Sequence, residues 1–456
     1  MYRNELFVLK YLSEIPYLLP VGQAAADMRR SVCLNSTGAL IWEFLSNGRS
    51  TDSLLSECAK YFEITQDEND SAYIGFKNDI LEFVNTLLSE GLIYDDSADF
   101  RHDTGMMPDD TDFSSMPSGS KLSADSDTAS LNASAKPDDA SLLLSIGGFI
   151  VGLQGNAAHF PSEFDSFVCP STGAPSDINI SLITAFPDEI HEIPHINRGV
   201  CMCPECRKKM PVKKITGSKN LPVVNKSTPL LNHPDLTVFK NSTGYSLYFN
   251  SMPAIIRMDI NNDASDVRIW LEKDFSDSAR MMLFHAIRMP FVFFALSRGC
   301  IMLHSASILY RDRIWLFSGP SGTGKSTHTD LWNKIFGTPV INGDLNLIVP
   351  SKQDILVCGT PWCGTSGICD NLTHTLGGII FLKQAPADYC EKLTETEKRL
   401  NLLQRLISPR WTGEMLDNAL NAAELTADRV MMCRLCCTPK ESAARTMKSE
   451  IDSRIS

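Results

Sequence analysis

The segment Ile314-Trp-Leu-Phe-Ser-Gly319-Pro-Ser321-Gly322-Thr323-Gly324-Lys325-Ser326-Thr327 carries the strongest chemical signal in the chain. Glycines at its bends let successive backbone N–H groups curl around phosphate oxygens, and a helix starting at Lys325 adds a favourable partial charge. In the pattern Gly319-x-x-x-x-Gly324-Lys325-Ser326, Lys325 is expected to reach the β- and γ-phosphates of a nucleoside triphosphate. The Ser326 hydroxyl is expected to ligate Mg²⁺. A run of β-forming residues precedes the motif and helix-forming sequence follows it to Phe336, which is the context the motif requires. Asp344, at the end of a β-run, is placed to serve both Mg²⁺ and an acceptor hydroxyl, although a turn-forming Gly343-Asp344 pair is the bland alternative. His304 is read either as a group touching phosphate or acceptor or as a core histidine.

A second cluster could hold a metal. His191-Glu-Ile-Pro194-His195 fits the HExxH spelling of zinc proteases, but that pattern needs both histidines one turn apart on a helix, which Pro194 breaks. Cys201, Cys203 and Cys206 with His195 or His191 could supply four ligands to a structural Zn²⁺. With no second CxxC in the insertion, a reduced, flexible insertion is the competing reading. The spacing fails the CxxxCxxC expected of a radical iron–sulfur enzyme.

The elements that must position these residues are legible around the glycine-rich motif. Cys300-Ile-Met-Leu-His304-Ser-Ala-Ser-Ile-Leu reads as a strand joined to the motif strand by the turn Arg311-Asp312-Arg313. Beyond the helix, Pro339-Val-Ile-Asn-Gly-Asp344-Leu-Asn-Leu-Ile-Val and Ile355-Leu-Val predict a meander. A hairpin into the motif does not fit the alternating βα order of a Ras-like core. Trp362 is read as packing or a nucleotide wall.

At 456 residues and 43% hydrophobic, the chain predicts two domains. Residues 95–139 hold eleven Asp, no Glu and three basic residues, so they carry eight of the twelve net negative charges. That Asp- and Ser-rich composition predicts a disordered linker over 96–140, between an N-terminal domain at 1–95 and a second at 141–456 with a Cys-containing insertion near 190–230. A flexible tether of that length spans roughly 35 to 40 Å. No concentrated basic face marks a nucleic-acid partner. Leu142 to Leu153 is too short to span a bilayer and Met289 to Leu309 is interrupted by Arg298 and His304, so no membrane partner is expected. Fourteen cysteines, among them Cys33, Cys300, Cys358 and Cys433 in apolar runs, read as reduced core residues. With no signal-peptide pattern at the start, the expected location is cytoplasmic.

In the first 95 residues, Leu6 to Tyr11, Tyr17 to Val21 and Ser31 to Leu34 read as short strands. Asn35 or Ser36 caps a helix through Ala39, Ile41, Trp42 and Leu45 that Gly48 stops. Thr51 or Asp52 caps a second, and a third runs from about Glu68 to Ser89 with Ile74, Phe76, Ile80, Phe83, Val84, Leu87 and Leu88 on one side. The order of strand, Leu34-Asn-Ser-Thr-Gly-Ala39, Ile41-Trp42 and Leu87-Leu-Ser-Glu-Gly-Leu-Ile93 resembles the PqqD-like family, the RiPP recognition elements. The resemblance implies a winged-helix-like α+β unit that adds the leader of a ribosomally made precursor peptide as a strand beside its third strand and third helix.

From about Ser141 to Ile451, interrupted near 190–230, the hairpin, glycine-rich loop and meander resemble the HPr kinase/phosphorylase and phosphoenolpyruvate-carboxykinase-like group. His304 falls at that group's histidine and Gly319 to Thr327 on its phosphate loop. Asp344 falls on one acid of its usual Asp-Asp pair, with Gly343 where the other would stand. Thr360-Pro-Trp362-Cys-Gly364 and Gly377 to Lys383 resemble its kinase-related branch, and the decarboxylase substrate signature is absent. Together the resemblances imply a mixed α/β protein that uses ATP or GTP with Mg²⁺ to phosphorylate a Ser or Thr hydroxyl of a leader-bearing precursor peptide. Lys325 and Asp344 would be central to that transfer, with His304 beside them. The competing expectations are a kinase or phosphorylase of a folded carrier protein such as HPr, and a nucleotide-gated peptide chaperone without transfer. Members of that kinase group often assemble, so a homo-oligomer of unspecified number is a further implication.

Overall fold

A computed structural model describes residues 1–26, 31–45, 50–67, 70–94, 140–171, 175–185, 229–272 and 275–455. The acidic segment at 96–140, except its last residue, and nearly all of the insertion at 190–230 lie outside the described residues. So do His191, His195, Cys201, Cys203 and Cys206, and with them the expected zinc cluster.

The chain is a mixed α/β protein whose described residues divide into two units. One comprises 1–11, 15–19 and the described part of 31–136; the other takes 12–14, 20–30 and the described part of 137–456. The N-terminal elements are β1 (Tyr2–Arg3), β2 (Phe7–Leu12), β3 (Ile15–Pro20), α1 (Gly22–Ala26), β4 (Val32–Cys33), α2 (Ser36–Phe44), α3 (Thr51–Tyr61), α4 (Ser71–Ser89) and β5 (Ile93–Tyr94). Strands β2, β3 and β4 form one small sheet and β1 pairs with β5. Asn35 caps α2 by accepting the Gly38 amide at 2.7 Å. The cap of α3 is Ser50 rather than Thr51 or Asp52, and α4 starts at Ser71 under an Asp70 cap rather than near Glu68. Helix α4 buries Tyr73, Ile80, Val84 and Leu87, whereas Ile74 is exposed. Phe76, Phe83 and Leu88 are half-buried, so the expected stripe holds except at Ile74, with Tyr73 buried in addition. The proposed stop at Gly48 lies outside the described residues, and α2 ends at Phe44.

The second unit begins with β6 (Ala140–Ile146), β7 (Phe149–Gly155), β8 (Ile178–Ala185), β9 (Leu231–Asn232), β10 (Leu236–Lys240), β11 (Gly244–Phe249), β12 (Ile255–Asn261) and β13 (Asp266–Glu272). They form an eight-stranded sheet ordered β6-β7-β8-β13-β12-β11-β10-β9. Next come α5 (Asp277–Ser297), β14 (Ile301–Tyr310), β15 (Arg313–Ser318), α6 (Lys325–Phe336), β16 (Val340–Asn342), β17 (Leu345–Pro350) and β18 (Ile355–Gly359). The chain finishes with β19 (Thr373–Gln384), β20 (Tyr389–Lys392), α7 (Glu395–Arg405), β21 (Leu406–Ile407), α8 (Gly413–Arg429), β22 (Met432–Cys437) and α9 (Glu441–Ile455).

The second sheet runs β15-β14-β17-β18-β19-β22-β20, with β16 and β21 also on β14 and β15 also pairing β19 in parallel. Strands β14, β15, β17, β18 and β19 therefore close a ring, which leaves the motif strand β15 no free edge. Both expected features, the hairpin into the motif and the meander after Asp344, are present. The apolar stretches fall on these elements: Leu142 to Leu153 is the β6–β7 hairpin, and Met289 to Leu309 divides between α5 and β14. Helix α5 is long and apolar enough by composition to cross a membrane, but 67% of its most apolar window is buried and it carries Arg288. Phe284, Ile287, Phe291 and Phe294 on α5 join a core shared with β-residues of both sheets. Among the cysteines read as core residues, Cys300, Cys358 and Cys433 are buried and Cys33 is exposed, on the short β4. The eleven described cysteines are all free thiols.

Candidate active site

The site grows from a hairpin. Strands β14 and β15 pair antiparallel from Ser305↔Ser318 to Tyr310↔Arg313, turning through Arg311 and Asp312, both at positive φ (52° and 56°). Two left-handed residues make the tight reversal whose twist matches the strands. The strand β15 then delivers Ser318 to the glycine-rich loop, where Gly322 and Gly324 stand at φ 74° and 99°. Any side chain at Gly319 would lie 2.6 Å from Thr323 Oγ1, so the loop closes on itself only with glycine there. Thr323 donates from Oγ1 to the Pro320 carbonyl at 2.7 Å, and Gln384 donates to the Gly322 carbonyl at 3.1 Å. Lys325 opens α6, with its Nζ donating to the Gly319 and Pro320 carbonyls at 3.1 and 3.3 Å. Ser326 and Thr327 occupy the first turn of that helix.

Across β14, the acid is held by an asparagine the sequence reading left without a role. Buried Asn342 accepts the amides of Asp344 (2.8 Å) and Leu345 (2.9 Å) on Oδ1 and donates from Nδ2 to the Thr360 carbonyl at 2.8 Å. Ser307 and Asn346, also buried, extend the network: Ser307 Oγ donates to Asn346 Oδ1 at 2.8 Å and accepts the Asn342 amide at 3.0 Å. Satisfied polar groups in a dry interior fix geometry strongly, so the turn presenting Asp344 is rigid. The Asn-Gly-Asp spelling was the available signal, since Asn folds its side chain onto amides two residues on.

His304 Nε2 on β14 lies 2.9 Å from Asp344 Oδ1 in the bend between β16 and β17, so the two residues singled out do meet. Two cations missing from the sequence reading join them. Arg288 reaches the site from α5 and interacts electrostatically with Asp344. Arg405 follows from the β14–β21 register, where Leu303 pairs Leu406, and it acts on Lys325. Burial alone would raise the Asp344 carboxyl, but His304, Arg288 and Lys325 together hold it below its ordinary value. Burial lowers both Lys325 and Arg288, with Asp344 opposing. Arg288 and Lys325 act on one carboxylate and Arg405 on Lys325, so cations outnumber the acid, an environment suited to a polyanion. Neither arginine sits in a recognisable motif, and periodicity could not have found them.

Trp362 is buried and donates from Nε1 to the Phe284 carbonyl at 3.0 Å, which makes it a packing residue that ties the Asp344 side of the site to α5. Gly343 has a steric reason to be glycine: a Cβ there would lie 2.0 Å from Ser366 Oγ and 3.2 Å from the Cys363 carbonyl. The loop after Trp362 fills the space a second acid would need. We therefore expect Gly343→Asp, far from restoring an acid pair, to destabilise the fold by about 1–3 kcal/mol through overpacking. Thermal unfolding checks this, and an unchanged Tm would show that the loop yields freely.

In the N-terminal unit, β4 offers only Val32 and Cys33 as the expected third strand. A cavity of about 460 Å³ opens instead along β2 and α2, lined by Phe7, Leu9, Tyr11 and Trp42.

Residues 25–93 match the family model described as Coenzyme PQQ synthesis protein D (PqqD). This stretch is a PqqD domain. It contains β4 and all of α2, α3 and α4, together with the Leu34 to Ala39 and Leu87 to Ile93 segments that carried the resemblance. Strands β2 and β3 precede the matched residues, and the cavity is lined partly from β2 and partly by Trp42 within the match. Among solved structures, the chain is similar to one titled the Hpr(Ser) kinase/phosphatase from Coxiella burnetii, at 10% identity, over 34% of this chain and 93% of that one, with a TM-score of 0.20. A likeness of that size carries no weight, so function rests on the residues of the site. No curated protein matches the chain.

Proposed function

We propose that this chain is a nucleoside-triphosphate-dependent kinase that phosphorylates a Ser or Thr hydroxyl of a ribosomally made precursor peptide, whose leader the PqqD domain holds. The observation that carries the reading is the meeting of the glycine-rich loop and Lys325 with the His304–Asp344 pair at 2.9 Å, in a chain that also carries a PqqD domain. The residues fit a magnesium nucleotide: open glycine backbone and three cations for the phosphates, Ser326 and Asp344 as oxygen ligands. Such a complex supplies the transferable phosphoryl group and an in-line leaving group.

Lys325 and Arg405 would neutralise phosphate charge from the loop side, with Arg288 doing so from α5. Asp344 would orient the acceptor hydroxyl. Its lowered pKa makes it a weak base, which suits a loose transition state in which positioning counts for more than early proton removal. His304 would keep the carboxylate aimed, and the Asn342 network would hold both against the loop.

The direct test is mass spectrometry of a candidate precursor after incubation with Mg²⁺ and ATP or GTP, reading for one added phosphoryl mass. Deleting residues 1–95 should raise the apparent KM for the full precursor with kcat largely retained, because leader capture raises local concentration without altering the transition state. The expected rise is on the order of a hundredfold. An unchanged KM would separate the PqqD domain from substrate capture.

A further inference from the structure

We infer that the base of the nucleoside triphosphate is adenine and that two loops at one edge of the second sheet read it, 385–388 after β19 and 438–440 after β22. The inference rests on the nucleotide site proposed above and extends it beyond the phosphates. Strands β15, β19 and β22 run parallel, with Ser318 opposite Phe381 and Gln384 opposite Cys437. Their C-terminal ends therefore share one edge, which is where open sheets with parallel strands bind ligands. The glycine-rich loop leaves β15 at that edge, so the segments leaving β19 and β22 begin beside it. Strand β19 continues past Phe381 and carries Gln384 to the loop, where its Nε2 donates to the Gly322 carbonyl at 3.1 Å.

Hydrogen bonds stitch the two loops into one platform. The Ala385 amide donates to the Cys437 carbonyl at 3.1 Å. Asp388 accepts the Thr438 amide at 2.6 Å on Oδ1 and the Thr438 hydroxyl at 3.2 Å on Oδ2, and the Ser442 hydroxyl also donates to Oδ2. A platform tied in this way loses little further freedom when a ligand settles on it. Between the ties, Pro386, Ala387 and Pro439 are exposed. Each loop thus contributes a proline whose apolar ring offers a surface to a flat base.

Donors and acceptors then choose between the purines. Guanine presents N1–H and an N2 amino group side by side, and a carboxylate is the side chain that accepts from both. Asp388 is the one acid in either loop, and Thr438 and Ser442 already occupy its two oxygens. Adenine needs one acceptor for its N6 amino group and one donor for N1. The Ala385 carbonyl and the Ala387 amide, on either side of Pro386, have no partner among the described residues and can supply that pair. Pro386 itself brings no competing N–H. Backbone groups placed in this way commonly fix the orientation of a bound small molecule.

The experiment irradiates the full chain with Mg²⁺ and 8-azido-ATP, whose reactive group sits on the base, and maps the adducts by peptide mass spectrometry. Calorimetry then compares ATP, GTP and inorganic tripolyphosphate. Adducts are expected within 384–388 or 438–440 and should be suppressed by excess ATP. ATP is expected to bind on the order of tenfold more tightly than GTP, the worth of one or two hydrogen bonds. Ala387→Ile, which sets a branched side chain beside the exposed amide, should weaken ATP about tenfold and leave tripolyphosphate, which has no base, unchanged. Adducts confined to other segments would overturn the inference, as would GTP binding as tightly as ATP, or Ala387→Ile weakening ATP and tripolyphosphate equally. Transfer assays on the same protein separate the two readings. Adducts on these loops without transfer to any acceptor would sink the kinase and keep the adenine site, and transfer with adducts elsewhere would do the reverse.

Discussion

Lys325→Ala is expected to weaken nucleotide binding on the order of a hundredfold, the equivalent of losing about 3 kcal/mol of charge-assisted hydrogen bonding, and to remove detectable transfer. The ammonium now rests on the Gly319 and Pro320 carbonyls, 3.1 and 3.3 Å away, at the mouth of the loop. It is poised where phosphate oxygens would compete for it. The substitution leaves the backbone of α6 intact, since alanine is a good helix former, so thermal stability should hold. Leader binding should be untouched, because the PqqD match at residues 25–93 contains none of the glycine-rich loop. Calorimetry with nucleotide and, separately, with leader peptide reads both quantities on one variant. A folded Lys325→Ala protein that loses both would count against the division of labour, and one that keeps nucleotide affinity would remove Lys325 from the site.

Much of this arrangement could be read from local sequence because local rules govern it. The strand–glycine loop–helix order around Lys325 depends on propensities and left-handed glycines within a few residues, and the β14–β15 hairpin on a two-residue turn. Asn35 capped its helix as expected for the same reason. What sequence could not show depends on distant pairing. Arg288 on α5 reaches Asp344 only because α5 packs under β14, and Arg405 reaches the site through a β21 register of two residue pairs. The closing of five strands into a ring needs the β15–β19 pairing, some sixty residues apart in the chain. In α4, periodicity placed the helix and most of its buried face; Ile74 lies off that face, while Tyr73, seven residues before Ile80, lies on it. The reason for glycine at position 343 emerged only when Ser366 was seen in the space a side chain would take.

Asp344→Asn tests the least redundant residue of the proposed mechanism. The amide keeps the size and can still accept a hydrogen bond from His304, and the Asn342 contacts to the backbone of the turn do not involve the side chain of residue 344. Fold and most of the nucleotide affinity should therefore persist. Transfer should fall on the order of a thousandfold, because an amide is a poor Mg²⁺ ligand and a poor partner for the acceptor proton. The steric exclusion at Gly343 sharpens this expectation, since no acid can take over from the neighbouring position. The pH dependence has a definite sign. The folded carboxyl lies below its ordinary 3.8, so Asp344 is ionised throughout the neutral range, and both its charge and the stability that its ionisation contributes are lost only as pH falls through that lowered value. Any decline in transfer between pH 5 and 8 must then come from another group and should survive in relative terms in the residual activity of the variant. Replacing Arg288 with Met removes one of the charges holding the carboxyl down, which should move the Asp344-dependent acid limb upward. Side-by-side mass spectrometry of precursor treated with wild type and Asp344→Asn decides the matter. One phosphoryl mass added by wild type alone supports transfer through this acid; comparable phosphorylation by both removes Asp344 from its role; and a nucleotide-gated chaperone would phosphorylate nothing in either case while showing altered Mg²⁺ dependence of peptide release.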